Sequence, residues 1–149
     1  VARILQDRAQ TRETEMNDTQ LAQILRDMQR VAVVGLSPRE DRASHGISRW
    51  LLGRDLEVVG VNPAHEEILG VPVYPSLEDV PGRVDVVDIF RRSETVAPIV
   101  EAAIGRRDGM IWMQEGVEHA EAAARAAAAG IPVVMDRCIY KEFLRLLNG

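Results

Sequence analysis

Cysteine is nearly absent from this sequence: Cys138 is the single one among 149 residues, so the chain forms no internal disulfide. This usage is typical of a reducing compartment, and we expect a cytoplasmic protein. No apolar run approaches the roughly 20 residues of a membrane span. The formal net charge of −5 disfavours partners that need a basic surface, so we expect neither nucleic acid nor a membrane. The histidines and the one cysteine lack metal-ligand spacing, which predicts no metal site.

The amino-acid composition, with 46% apolar and 28% charged residues, is typical of one globular domain. Residues 1–15 are polar and weakly periodic, and two interpretations stay open for them. They form either an N-terminal arm or an extension upstream of a natural start at Met16. We assign residues 16–149 to the domain itself, which is long enough to bury one core.

Short apolar strands alternate with helical segments along the chain, without a β-hairpin signal between them. This alternation predicts an α/β fold: a Rossmann-like three-layer sandwich with a five-stranded parallel sheet and helices on both faces. The expected strand order is 3-2-1-4-5. Residues 64–82 hold three prolines and two glycines, which predicts a loop. The five predicted strands are 31–35, 57–61, 84–90, 110–113 and 133–135.

The stretch 31–46 organises the rest of the chain. An apolar strand ends on Gly35, a polar loop follows, and a helix begins near Ser44, which is suited both to cap the helix and to donate to a phosphate. Ligands of parallel sheets bind outside the carboxyl ends of the strands, where the strand order reverses. The loops that reach this crevice carry side chains suited to a phosphate-bearing ligand: Ser37, Arg39, Arg42, Ser44, His45, Asn62, His65, Arg91, Arg92, Gln114, Glu115 and Gly116.

A nicotinamide or flavin dinucleotide is the first alternative for this loop. Its fingerprint is G-x-G-x-x-G after the first strand, with an acidic residue at the end of the second strand. Here Leu36 and Ser37 follow Gly35, and the second strand ends in Asn62 and Pro63. Both departures disfavour an NAD(P)-binding enzyme.

Five segments occur in an order that is found in a known family: Val33–Ser37, Val61–Pro63, Val84–Arg91, Trp112–Gly116 and Val134–Cys138. They resemble the small stand-alone CoA-binding proteins, which are similar to the N-terminal CoA-binding domain of the succinyl-CoA ligase α subunit. The resemblance runs from about residue 18 to the C-terminus and implies a domain that binds coenzyme A, as CoA or acyl-CoA. The ligase relatives need a further domain and a partner subunit, so the resemblance does not imply ligase activity.

The resemblance also implies roles for the loops. The first loop surrounds the CoA phosphates, residues 62–65 flank the adenine ribose, and Phe90 with residues 114–116 guides the pantetheine. His65 stands where the ligase relatives have a lysine, and a neutral histidine is a weaker phosphate partner. Together with the loop residues above, the predicted CoA-binding residues are Gly35, Leu36, Ser37, Arg42, Ser44, His45, Asn62, Pro63, His65, Phe90, Arg91, Met113, Gln114, Glu115 and Gly116.

Other polar residues have structural explanations. Asp85 and Asp88 alternate with valines, and we expect a strand-end hydrogen bond or a salt bridge to Arg91 rather than an acid–base dyad. For Cys138 we expect a buried thiol, with a mixed disulfide to the CoA thiol as the alternative.

The sequence offers no nucleophile–base pair, so we expect a binding protein and not an enzyme. Two other functions stay open: an NAD(P)-binding enzyme and a nucleotide-responsive sensor or interaction module. The sequence names no protein partner and leaves open whether the chain forms a homodimer.

Overall fold

A computed structural model describes residues 16–147, so the prediction for residues 1–15 lies outside the described residues. The helices are α1 (Asp18–Asp27), α2 (Ala43–Gly53), α3 (Val96–Arg106), α4 (Ala120–Ala128) and α5 (Ile139–Leu147). The strands are β1 (Arg30–Val34), β2 (Glu57–Val61), β3 (Glu67–Ile68), β4 (Val71–Tyr74), β5 (Val86–Ile89), β6 (Met110–Met113) and β7 (Val133–Val134). Short 3-10 turns lie at Leu77–Asp79 and Ser93–Thr95.

The strands form one sheet in the order β3-β4-β2-β1-β5-β6-β7. Neighbouring strands are parallel except β3 and β4, which are antiparallel. The central strand β1 pairs with β2 on one side and with β5 on the other, so that Val33 lies opposite both Gly60 and Asp88. The predicted α/β class and the parallel core of the sheet are confirmed.

The predicted five strands and their order need correction, because the segment 64–82 contains two strands, β3 and β4. Strand β4 takes the place beside β2. The predicted third strand, 84–90, instead contains β5, which pairs with the opposite side of β1. In β4, Val71 and Val73 are buried and Pro72 between them is exposed. Proline is tolerated there because the pairing of β4 with β2 begins only at Val73, one residue beyond Pro72.

Alternate residues of β1 divide the core into two layers. Val31 and Val33 pack with apolar residues of α1, α2 and α5, whereas Ala32 and Val34 pack with those of α3 and α4. Successive side chains of a strand point to opposite faces, so helices cover both faces of the sheet. Because both faces are covered, the central strands are buried on each side, which explains their nearly continuous apolar sequences.

Candidate functional site

The topology creates one crevice at the carboxyl edge of the sheet. Strands β1 and β5 are neighbours and parallel. The helix that follows β1 packs on one face of the sheet, and the helix that follows β5 packs on the other. The two connections therefore separate above the ends of β1 and β5, which is where open parallel sheets bind ligands.

Gly35 brings the two loops of this crevice into close contact. Its φ is +92°, and its N–H donates to the Val61 carbonyl at 2.9 Å. A Cβ at this position would lie 3.1 Å from the carbonyl oxygen of Phe90 and 3.3 Å from Nε of Arg91. Glycine is required here both for the backbone conformation and for the close approach.

Ser37 is held on both sides by the first turn of α2. Its N–H donates to Oγ of Ser44 at 3.0 Å, and its carbonyl oxygen lies 3.0 Å from Nδ1 of His45. The N-cap of α2 is Arg42, which makes no side-chain hydrogen bond to the helix. The expectation that Ser44 caps the helix is therefore wrong, because Ser44 lies inside the first turn and fixes the loop instead. The first-turn N–H groups carry no side-chain cap, which is the arrangement that binds anions.

A cleft of about 290 Å³ lies on the α3 side of the crevice. Its walls are mostly apolar, with the side chain of Arg91 as the cationic group. Glu78 is the other charged residue of the lining, so the cleft combines apolar walls with two charges of opposite sign, which suits a flat ring that carries polar groups. The residues that line it are Val34, Val61, Pro63, Pro75, Ser76, Leu77, Glu78, Arg91, Pro98 and Ile99.

Asn62 connects neighbouring loops. Its side-chain N–H group donates to the carbonyl of Leu36 at 2.9 Å, and its Oδ1 accepts from the N–H of Ala64 at 2.9 Å. The Leu36 side chain is buried in the core, so only its backbone faces the crevice. Asn62 thus shapes the loop beside the cleft, while His65 stands exposed at the end of that loop.

The loop after β6 is attached to the neighbouring connections. Gln114 is buried and accepts the N–H of Ile139 at 3.1 Å, and Glu115 pairs with Lys141 at 2.8 Å. The N–H of Gly116 donates to Asp136 at 2.7 Å. These contacts use the polar groups of the turn to fix its shape.

The structure brings the predicted residues to one edge, but at different depths. Ten of them are exposed or half-buried: Gly35, Ser37, Arg42, Asn62, Pro63, His65, Phe90, Arg91, Glu115 and Gly116. The other five are buried beneath the surface of this edge: Leu36, Ser44, His45, Met113 and Gln114. Sequence reasoning missed the part of the cleft that comes from residues 75–78 and from Pro98 and Ile99, because it predicts that only the loops directly after the strands reach the crevice.

Asp85 and Asp88 have different environments. Asp85 accepts from the N–H groups of Gln29 and Arg30, each at 2.9 Å, so the expected strand-end hydrogen bond is confirmed. Asp88 is fully buried, and its oxygens have no hydrogen-bond partner in the described part of the chain, so the expected salt bridge to Arg91 is wrong for this residue. Burial raises the pKa of the Asp88 carboxyl well above its usual range.

Two further observations concern residues 16–147. They contain no group of histidine, cysteine and acidic side chains that could hold a metal ion, and none of their helices is long and apolar enough to cross a membrane. The Cys138 thiol is buried, as expected.

Comparison with known proteins identifies the family. Residues 29–143 match the family described as the CoA binding domain, and the chain belongs to that family. Over 120 residues it is 38% identical to the uncharacterized protein YneT of Bacillus subtilis, which covers 80% of this chain and 89% of that protein. A solved structure of a hypothetical protein from Pyrococcus horikoshii OT3 has a TM-score of 0.85 and 35% identity, over 89% of this chain and 93% of that one.

The chain is also similar to part of a much larger enzyme. It is 37% identical over 92 residues to the ADP-forming acetate–CoA ligase I of Archaeoglobus fulgidus. The match covers 60% of this chain but only 13% of the ligase. The relationship to CoA-binding domains of ligases, which the sequence motifs indicated, is confirmed.

Proposed function

We propose that this protein binds CoA or acyl-CoA at the carboxyl edge of the sheet, between β1 and β5, and has no catalytic machinery of its own. The observation that carries the proposal is the crevice itself. There the Gly35 loop, the uncapped first turn of α2 and the apolar cleft beside Arg91 adjoin one another in a member of the CoA-binding domain family.

The phosphates of CoA bind at the loop 35–42 and the start of α2. Arg42 stands at the N-cap position, exposed and without an ion pair among residues 16–147. Anions are stabilised at this end of a helix by its free N–H groups and by its dipole. Arg42 adds a full positive charge to these partial charges and is the residue we expect to discriminate between phosphorylated ligands.

The adenosine end binds in the cleft on the α3 side. Pro63, Pro75 and Pro98 give it flat apolar walls, and Arg91 supplies a donor to the ribose or to an attached phosphate. His65, exposed at the end of the neighbouring loop, borders this subsite.

The pantetheine runs from the loop toward residues 114–116, past the half-buried ring of Phe90. Along this path the described residues offer no nucleophile hydrogen-bonded to a base. Glu115 is paired with Lys141, and Gln114 is occupied by a backbone N–H. We therefore propose binding without chemistry, in which the acyl group stays intact.

A dinucleotide fits this edge less well. Asn62 takes the position where a ribose-binding carboxylate is expected, and both ends of its amide already have protein partners. With one neutral oxygen that already accepts the N–H of Ala64, this amide offers the two ribose hydroxyls less acceptor capacity than a carboxylate.

Calorimetric titration of the purified chain with CoA, acetyl-CoA, NADH and ATP tests the proposal. We expect CoA and acetyl-CoA to bind at least about tenfold more tightly than NADH or ATP, a difference of roughly 1.4 kcal/mol. Tighter binding of NADH than of CoA would favour the dinucleotide alternative. Turnover of acetyl-CoA to free CoA during the titration would contradict the absence of chemistry.

A further inference from the structure

A group of buried polar atoms lies under the candidate site. Within residues 16–147, four buried side-chain atoms have no hydrogen-bond partner: both carboxyl oxygens of Asp88, Oγ of Ser48 and Nε2 of His45. Folded proteins rarely leave such atoms unpaired, because burying them without a partner is costly. Their occurrence in only three residues calls for a common explanation.

All three residues lie in the same layer of the core. Asp88 is opposite Val33 of β1 and Trp112 of β6, and these two side chains belong to the layer that α2 and α5 cover. His45 and Ser48 lie on one face of α2, three residues apart, and both are buried between that helix and the sheet. The three side chains therefore enter the layer from its two sides.

The hydrogen-bonding capacities of the three groups are complementary. The carbonyl oxygen of Ser37 accepts from Nδ1 of His45, so in the neutral ring Nε2 is an acceptor. A buried carboxylic acid at Asp88 offers one donor, and the Ser48 hydroxyl both donates and accepts. Each group offers what another requires, and water molecules with two to four polar partners are regular parts of protein cores.

We propose that Asp88, Ser48 and His45 form one hydrogen-bonded network, joined by ordered water, that positions the first turn of α2. Through His45 this network reaches the carbonyl of Ser37, and the adjacent Ser44 holds the N–H of the same residue. Asp88 and Ser48 are thus positioning residues for the loop. Their effect on ligand binding rests on the proposed function, whereas the network itself does not depend on it.

A double-mutant cycle on unfolding tests the network without any ligand. We expect the effects of Ser48→Ala and Asp88→Asn on the urea unfolding constant to be non-additive by threefold or more, since joined residues share the same hydrogen bonds. The control cycle combines Asp88→Asn with Ser76→Ala, which removes an exposed hydrogen bond to Asp79 next to the opposite layer. Additivity is expected in the control, and additivity in the Ser48 cycle would overturn the proposal.

Infrared spectroscopy gives a second test that does not require Asp88→Asn to fold. At near-neutral pH, exposed carboxylates are ionised, so the C=O stretch of a protonated acid reports on the buried one. We expect this band in the wild-type chain and a shift of it in Ser48→Ala, because the acid loses a hydrogen-bonded neighbour. Absence of the band, or an identical band in the variant, would contradict the network.

Titration of Ser48→Ala with CoA tests the positioning role. Ser48 is 0% exposed and cannot touch a ligand, so weaker binding of CoA, by about threefold to tenfold, has to act through the loop. Unchanged CoA affinity would refute the positioning role. Failure of the wild-type chain to bind CoA would refute the proposed function and leave the unfolding cycle as the test of the network.

Discussion

Charged residues have different partners at the two edges of the sheet, the amino edge where the parallel strands begin and the carboxyl edge where they end. At the amino edge, the buried carboxylate of Asp108 pairs with Arg106 at 2.9 Å and also accepts the N–H of Val84. Arg106 in addition donates to the carbonyls of Val80 and Gly82. Both charges of this pair therefore have partners within the protein, which is typical of structural ion pairs.

At the carboxyl edge, two basic residues of the candidate site have no such partners. Neither Arg42 nor Arg91 forms an ion pair with any residue of the described chain. The first turn of α2 lacks a side-chain cap, and the carboxyl of Asp88 lies just below this edge without a partner. The buried pair at the amino edge contributes to the stability of the fold, while the unpaired groups at the carboxyl edge are those to which we assign the proposed CoA site.

The largest effect is expected at the amino edge. Asp108→Ala leaves Arg106 partly buried without its carboxylate and Val84 without its acceptor. We expect the free energy of unfolding in urea to fall by about 3 kcal/mol, since breaking a buried pair leaves an uncompensated charge. CoA affinity, measured well below the unfolding temperature, should not change.

Arg83→Ala is the matched control at this edge. It removes an exposed guanidinium that pairs with Asp85, so a loss below about 1 kcal/mol is expected. Equal losses in the two variants would show that the amino edge is not held by its buried pair.

Asp88 predicts an unusual pH dependence. Because burial raises its pKa, the folded state binds more protons than the unfolded state above the ordinary aspartate range. The contribution of Asp88 to the free energy of unfolding should therefore fall as the pH rises from about 4 through the raised pKa, by at most about 1.4 kcal/mol per pH unit. Below about pH 4 both states are protonated and this contribution is fully present.

Asp88→Asn removes this titration. Urea unfolding at a series of pH values should give profiles for the variant and the wild type that converge or cross as the pH rises. His45 is the other buried titratable group of this layer, so the profiles are repeated in a His45→Gln background. Parallel profiles in both backgrounds would contradict the buried acid.

Gly35→Ala tests the loop at the carboxyl edge. The positive φ and the 3.1 Å approach to the Phe90 carbonyl predict a loss of about 1–2 kcal/mol in the free energy of unfolding. CoA affinity should fall by more than about tenfold, since the loop must move. Gly130→Ala is the control: its φ is +83°, but its added Cβ has no atom within 4 Å. A similar loss of stability with unchanged CoA affinity is expected there, and an equal loss of affinity in both variants would contradict a role for the Gly35 loop.

The smallest effect is expected at Lys141. Its ion pair with Glu115 is exposed, at 2.8 Å, and exposed pairs contribute little. Lys141→Ala should change the free energy of unfolding by less than about 0.5 kcal/mol, with a further decrease of the difference in high salt. A loss above about 1 kcal/mol would show that the turn 114–116 depends on this pair.

The sequence predicted the class of fold and the crevice at the carboxyl edge of the sheet, because both depend on long-range patterns. The alternation of apolar strands with helices predicted the parallel core, and Gly35 at the end of the first strand indicated the crevice. Strand β4 was missed because Pro72 separates its two buried valines, and local propensity does not distinguish a short strand from a loop over four residues. With β4 absent, segment 84–90 was placed on the wrong side of β1.

The details of the site were less predictable, because they depend on contacts between distant residues. The amides of Asn62 and Gln114 are occupied by backbone groups of Leu36 and Ile139, which are at least 25 residues away. Asp88 resembles any strand-end aspartate in sequence, and only the packing of α2 and α5 over it makes it a buried acid. Neither feature has a signal in residue spacing.

The most direct test of the central claim compares CoA binding after equal loss of charge at the two edges. One variant combines Arg42→Ala with Arg91→Ala at the carboxyl edge. The other combines Arg83→Ala at the amino edge with Arg26→Ala, in the last turn of α1 just before the start of β1. By calorimetry, the first should bind CoA at least about 30-fold more weakly than the wild type, because two charge-assisted hydrogen bonds are lost, and the second less than about threefold more weakly. Equal CoA affinities of the two variants would contradict a CoA site at the carboxyl edge.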